Sequence, residues 1–234
     1  YVDVILNNIF DDVTNLVDGA KTQFERMRMQ LLCKGKVQIS YDDLGIDYDY
    51  GVNKTTVSTS WATASTDIMA DIETAMDTVE TRCGVRPTKA ICTSKTFNYI
   101  KNNTKIVGAV RALNTTKYVT TKMIKEYIQD ELDLTIQVYN KKYKNESGTD
   151  TLFFDDDIFT LIPSTTLGGS WYGTTPEESD LLGSNKANVS IVNTGVAVTT
   201  SETVDPVNVD TKVSFVGLPS FENSDQVQIL DVIP

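Results

Sequence analysis

Apolar residues recur every three or four positions early in the chain: Ile9, Val13, Leu16, Ala20, Phe24, Met27 and Leu31 make one stripe. The spacing predicts an amphipathic helix over 8–33. Asp11 and Asp12 lie near its start and Arg26, Arg28 and Lys34 near its end, as the helix dipole prefers. Gly35 follows as the residue that ends it in a left-handed turn. The period then drops to two. Val37, Ile39 and Tyr41, then Ile46, Tyr48 and Tyr50, alternate around Asp42-Asp43-Leu44-Gly45, which is a hairpin pattern. Ser, Thr and Asn dominate 53–66, which reads as a loop. Ser65 or Thr66 caps a second helix with Asp67 in its first turn. Ile68, Ile72, Ala75, Met76, Val79 and Cys83 form its stripe, and Gly84 and Pro87 stop it.

Further on, Ala90-Ile91-Cys92 reads as a short buried strand, and 94–102 and 120–132 as helices. Met123, Ile124, Tyr127, Ile128 and Leu132 are the inward face of the latter. Leu134, Ile136 and Val138 alternate as a strand, and 152–154 and 158–162 are strands around an Asp155-Asp156-Asp157 turn. Thr174-Thr175-Pro176-Glu177-Glu178 has the make-up of a capped helix start. From Ala187 onward the pattern is strand-like, through Val189, Ile191, Val196, Val198, Val213, Phe215, Val227 and Ile229. Helices and strands alternate in the middle and strands dominate the end, so the fold class is α+β with a mixed sheet.

Chemistry narrows the functional classes. The 234 residues contain no histidine, which removes His-based triads, His-ligated zinc and histidine acid–base catalysis. Cys33, Cys83 and Cys92 fit no zinc or CxxC spacing and read as buried free thiols. Sequons at Asn53, Asn102, Asn114, Asn145 and Asn188 carry little weight in so Asn- and Thr-rich a chain, whose opening residues lack the pattern of a secretion signal. No apolar run reaches the roughly 18–20 residues of a membrane span. Asp155-Asp156-Asp157 lacks EF-hand spacing and reads as a solvated turn. Gly168-Gly169-Ser170 lacks the Lys-Ser/Thr of a phosphate loop. No cofactor is implied.

Charge sharpens this picture. The net charge is −11, the opposite of a broad phosphate-gripping surface. From Gly84 to Lys125 there are nine bases and no acid; from Asn145 to Asn185 there are eight acids and no base. Two readings stand: two solvated faces, or complementary subunit edges whose opposed potentials fix partner and register. On the second reading Arg86, Lys101, Arg111, Lys117, Asp155, Asp156, Asp157, Glu177 and Glu178 are candidate subunit-contact residues.

A series of short segments then carries a resemblance. It runs through Leu31-Leu32-Cys33-Lys34-Gly35-Lys36, Asp47-Tyr48-Asp49-Tyr50-Gly51-Val52, Trp61 and Gly84-Val85-Arg86-Pro87-Thr88-Lys89-Ala90-Ile91-Cys92-Thr93-Ser94 with Phe97 and Asn102. It continues in Leu134-Thr135-Ile136-Gln137-Val138-Tyr139-Asn140, Tyr143, Leu161-Ile162-Pro163 and Leu167-Gly168. Tyr172-Gly173-Thr174-Thr175-Pro176-Glu177 and Leu218-Pro219-Ser220-Phe221 complete it. Each piece is weak alone. In this order and spacing, over nearly the whole chain, they resemble the lambda-type major capsid proteins of tailed phages, which have the Hong Kong 97 fold.

The resemblance implies a peripheral domain made of a long spine helix and β-strands, and an axial domain made of a mixed sheet with flanking helices. The expected blocks are 1–59 for spine helix and hairpin, 60–185 for the axial domain, and 186–234 for strands returning to the peripheral domain. It also implies a non-enzymatic virion protein that is put together in the host cytoplasm. Its copies associate as hexamers and pentamers in an icosahedral shell around double-stranded DNA, without sequence-specific DNA binding or a membrane. Scaffold, portal and decoration proteins are the further partners. An encapsulin-like nanocompartment and, more remotely, an intracellular α+β enzyme are the alternatives. An arm and an extended loop precede the spine helix in the family, and the expectation is that the native polypeptide extends upstream of Tyr1.

Overall fold

A computed structural model describes the chain apart from residues 1, 42–43, 114–117, 146, 182–187, 194 and 205–206; side chains are also left undescribed over 2–13, 40–41, 44, 180–181, 188–193, 202–204 and 207. The chain forms two compact units. One comprises Tyr1–Met27 and Gly169–Ser220, the other Arg28–Gly168 and Phe221–Pro234. Their bounds differ from the three blocks expected from the sequence, because residues 53–56 and the C-terminal strand pair into the sheet of the larger unit.

That sheet has five strands. In spatial order they are β3 (Asn53–Thr56), β14 (Gln228–Asp231), β8 (Ile158–Ile162), β4 (Lys89–Cys92) and β5 (Thr135–Val138). The two outer pairings are parallel and the two inner ones antiparallel. Alternation sorts the side chains to two faces. Ala90, Cys92, Phe159, Leu161 and Leu230 join one apolar cluster, whereas Ile91, Ile158 and Ile229 join a second. A strand buried on both faces reads as a continuous apolar run, which is why β8 has the sequence IFTLI. Its central Thr160 is buried, and its hydroxyl donates to the Leu32 carbonyl at 2.6 Å.

The first cluster is covered by four helices: α2 (Ile68–Cys83), α3 (Ser94–Asn102), α4 (Thr104–Leu113) and α5 (Thr121–Leu132). Ile68, Ile72, Ala75, Met76 and Val79 line the buried side of α2, as its stripe requires. Its cap is Asp67, not Ser65 or Thr66: the Asp67 carboxylate accepts the Ala70 N–H, and Thr66 is instead a buried turn residue whose hydroxyl donates to the Ser60 carbonyl. Thr93 and Thr120 cap α3 and α5. Trp61 is fully buried here, with its indole N–H on Asp71 at 2.9 Å and its ring 5.3 Å from that of Phe159. Each large side chain sealed in this way contributes about 1.5–3 kcal/mol, so the sheet and its helices form the main stabilising body of the unit.

The second face packs against the last turns of α1 (Val2–Lys34), through Cys33 with Met29 and Leu32 at its side. Gly35 ends α1 at φ 72°, and its N–H bonds the Leu31 carbonyl. A Cβ there would lie 2.7 Å from that of Val52, so both backbone and space demand glycine. The hairpin follows as β1 (Lys36–Tyr41) and β2 (Leu44–Asp49), paired from Lys36↔Asp49 to Tyr41↔Leu44. A smaller hairpin pairs β6 (Lys142–Lys144) with β7 (Asp150–Leu152). The strand expected at 152–154 ends at Leu152, and Phe153 and Phe154 are buried just beyond it.

In the other unit, β10 (Asn188–Asn193), β11 (Val196–Val204) and β12 (Val207–Phe215) form an antiparallel meander, and β9 (Ser170–Tyr172) pairs with β13 (Gly217–Pro219). Between them lies α6 (Pro176–Leu181). Val17 of α1 packs with Val196 and Val198, with Val213 and Phe215 beside them. Phe24 stacks on Tyr172 at 5.5 Å and meets Phe215 edge-on at 5.6 Å. The buried stripe of α1 is therefore Val17, Phe24, Met27 and Leu31. Leu16, expected inward, is 43% exposed because Val17 holds the inward position. The side chains of Ile9 and Val13 lie outside the described residues.

Candidate subunit-contact surface

The acidic triplet sits in the turn that leads into β8, and the fold turns it inward. The Asp155 N–H reaches Cys33 Sγ at 3.2 Å, and its carboxylate pairs with Lys34 at 3.2 Å. Asp156 accepts the hydroxyl of Thr93, the cap of α3, at 2.6 Å. Asp157 has φ 65°, a left-handed conformation that Asp tolerates better than most residues. Its carboxylate accepts Lys95 Nζ at 2.6 Å and the Tyr99 hydroxyl at 2.8 Å. That bond raises the Lys95 pKa, while burial first and the Asp157 hydrogen bond second raise that of the Tyr99 phenol. The solvated turn expected from the sequence is thus a half-buried clamp tying β8 to the end of α1 and the start of α3. Among the described residues, no group of three or more His, Cys, Asp or Glu is placed to hold a metal ion.

Glu177 is likewise occupied. It lies in the first turn of α6, where Thr175 accepts the Glu178 N–H as the sequence pattern predicts. The Glu177 side chain is 10% exposed and takes Lys212 Nζ of β12 at 2.6 Å. Lys212 first, then the Ser214 hydroxyl, hold its pKa down at about 2. Glu178 beside it is half-buried.

The basic candidates divide in two. Arg86 donates to Asp77 and Glu80 on α2, both at 2.6 Å. Lys101 and Arg111, at the ends of α3 and α4, are exposed. Lys117 lies outside the described residues. Within the basic segment Lys95 and Lys105 are also paired, with Asp157 and Asp67. The charge segregation seen in sequence is therefore partly neutralised inside one subunit.

One feature had no sequence signal. Arg82 of α2 donates to the carbonyls of Asp225 and Val227 and to Gln228 Oε1, fastening the approach to β14 across 143 to 146 positions of sequence. Helix α5, expected from the pattern over 120–132, carries Lys122, paired with Glu126 at 3.4 Å, in its first turn and Asp130 and Glu131 in its last. This order opposes the helix dipole, at about 0.3–1 kcal/mol per charge. The thiols behave as buried groups: burial raises Cys33 strongly and Cys92 to about 12. Cys83 is half-buried and all three are free.

These surfaces belong to a known fold. The structure is similar to a protein assigned as a prophage capsid protein, from Escherichia coli CFT073, with a TM-score of 0.67 at 16% identity over 95% of this chain. It is also similar to a phage-related protein from Bordetella bronchiseptica RB50, with a TM-score of 0.54 at 13% identity over 94% of this chain. The chain spans 66% and 65% of the length of those two proteins. No curated protein sequence matches it. The family model described as phage major capsid protein E, however, matches residues 2–230. Helices, mixed sheet and C-terminal strands are thus covered almost end to end, and the chain belongs to the phage major capsid protein E family.

Proposed function

We propose that this chain is the shell-forming part of a tailed-phage major capsid protein, whose copies associate edge to edge into a closed icosahedral container for double-stranded DNA. The observation that carries the reading is the family match over residues 2–230. A shell subunit needs extensive edges, and many modest contacts repeated by symmetry supply the stability of the whole. The net charge of −11 suits a container that holds DNA without binding its phosphates. The protein has no catalytic role of its own in this reading; scaffold, portal and decoration proteins are its partners.

The unit with the long helix and the long antiparallel strands corresponds to the peripheral domain, and the five-stranded sheet with its four helices to the axial domain. The Hong Kong 97 architecture has this division. Electron microscopy of particles formed by the full-length protein tests the proposal. Closed icosahedral shells that package DNA during infection are the expected result. Strictly monomeric protein, or shells that enclose a protein cargo in place of a genome, would overturn it.

A further inference from the structure

We infer that Phe221–Val232 is a closing strap for the larger unit, guided into register by the β9–β13 pair, which is the first half of one antiparallel ribbon whose second half is β8 with β14. In the second half Leu161 pairs with Gln228 and Ile158 with Asp231. In the first, Tyr172 pairs with Gly217 and Ser170 with Pro219. One step further along, the Ser220 N–H donates to the Gly169 carbonyl at 2.9 Å, and the Gly169 N–H donates to the Ser220 hydroxyl at 2.8 Å. The stretches between the halves, 162–168 and 221–227, are equal in length, so one register runs through both. Partners meet along these stretches too. Asn223 donates its backbone N–H to the Leu167 carbonyl at 3.0 Å and its side-chain amide to the Thr166 carbonyl at 2.7 Å. The Thr165 hydroxyl donates to Gln226 Oε1 at 2.6 Å.

Hydrophobic pattern alone does not fix where the strap sits. Strand β14 is buried on both faces: Ile229 joins one apolar cluster, and Leu230 with Val232 beyond it joins the other. A slip of one residue exchanges the faces, and apolar side chains would still meet apolar clusters. The contacts that do read the register are polar. Gln228 Nε2 donates to Thr55 Oγ1 at 2.9 Å, Lys54 pairs with Asp231 at 3.3 Å, and Arg82 reaches the Asp225 and Val227 carbonyls and Gln228 together. They form only once the strap has arrived, and the whole of Gly169–Ser220, which belongs to the smaller unit, precedes it in the chain. Until the strap seats, β3 lacks its β14 neighbour and β8 presents an open edge, a template for wrong pairing. A guide already paired at β9–β13 delivers the strap in register and removes that edge. The Val57 and Trp61 N–H groups then bond the Asp231 and Val232 carbonyls, both at 3.0 Å.

The test shifts one side of the ribbon and then the other in the full chain. One alanine is inserted between Ser220 and Phe221, one between Gly168 and Gly169, and both together; urea unfolding is followed by circular dichroism. Each single insertion should raise the unfolded fraction about tenfold or more, because the strap is delivered one residue out of step. The double insertion restores equal stretches and should return to within about threefold of the parent. Single insertions as stable as the parent, or a double no more stable than the worse single, would overturn the guide. The double insertion decides even where a single insertion leaves the chain unfolded. Hydrogen exchange gives a second reading. Ser220→Pro removes the N–H that bonds Gly169, and should speed exchange of the β14 amides about tenfold or more relative to those of β5. Exchange in β14 that stays at the parent's rate would also overturn it.

Discussion

Replacing Glu177 by Gln removes one charge from a nearly buried side chain and leaves its shape. The carboxylate is 10% exposed, 2.6 Å from Lys212 Nζ, and titrates at about 2 where 4.5 is usual. At about 1.36 kcal/mol per pH unit, that displacement corresponds to about 3 kcal/mol. The Lys212 side chain is 70% exposed, so solvent screens the pair, and the net stabilisation expected at neutral pH is nearer ~1–2 kcal/mol. A depressed carboxyl stabilises the folded state fully above its unfolded pKa and loses that contribution as pH falls through the folded value. The window is therefore from about 4.5 down to about 2.

Urea unfolding followed by circular dichroism between pH 7 and pH 2 reads this directly. Glu177→Gln should be less stable than the parent by ~1–2 kcal/mol at pH 7, with the gap closing below pH 4.5 and gone near pH 2. Other carboxylates titrate in both proteins, so the difference between the two curves isolates Glu177. A gap that stays constant over the whole range, or none at pH 7, would refute the reasoning. A Glu177→Lys reversal sets two ammonium groups against each other within the subunit, so impaired assembly in that variant would report a damaged fold. Glu178→Lys is the cleaner probe of an edge at this helix.

Three further outcomes follow from the geometry. Arg82→Lys should cost about 1–3 kcal/mol in thermal unfolding, because an ammonium cannot reproduce the fork that reaches Asp225, Val227 and Gln228 together. Gly35→Ala should cost about 1–3 kcal/mol, from a φ of 72° and from the displacement of Val52; a melting temperature equal to the parent's would contradict both causes. A double-mutant cycle of Lys95→Met with Asp157→Asn should give only a weak coupling in urea unfolding, since Lys95 is half-exposed, whereas Asp157→Ala alone should destabilise more by also losing Tyr99.

The elements legible in the sequence were those whose order is local. The stripe of α2, the helix-ending Gly35 and Gly84, the inward face of α5 and the capped start of α6 each lie within a few residues of the structure they specify. Reading failed where a partner is distant. Strand β3 is Asn-Lys-Thr-Thr, without an apolar position, and exists because its backbone pairs with β14 some 170 residues later. Helix α4 escaped notice because only Ile106 and Val110 are buried in it, Gly108 interrupts the pattern, and its cap, Asn103, sits directly after α3. Leu16 and Val17 are adjacent apolar residues, and only packing against β11 selects the second of them.

Charge was the least legible layer, for a physical reason. Segregation along the chain says which signs are abundant in a segment and nothing of what the fold brings near them. Asp155, Asp156 and Asp157 lie about 60 positions or more from Thr93, Lys95 and Lys34, yet the closing of β8 against β4 makes them neighbours. Once these pairs form, the acidic segment has surrendered its strongest cluster, and the basic segment has surrendered Arg86, Lys95 and Lys105 to partners of its own subunit. A charge used in this way already answers a partner in its own copy, although pairs this exposed are only weakly held.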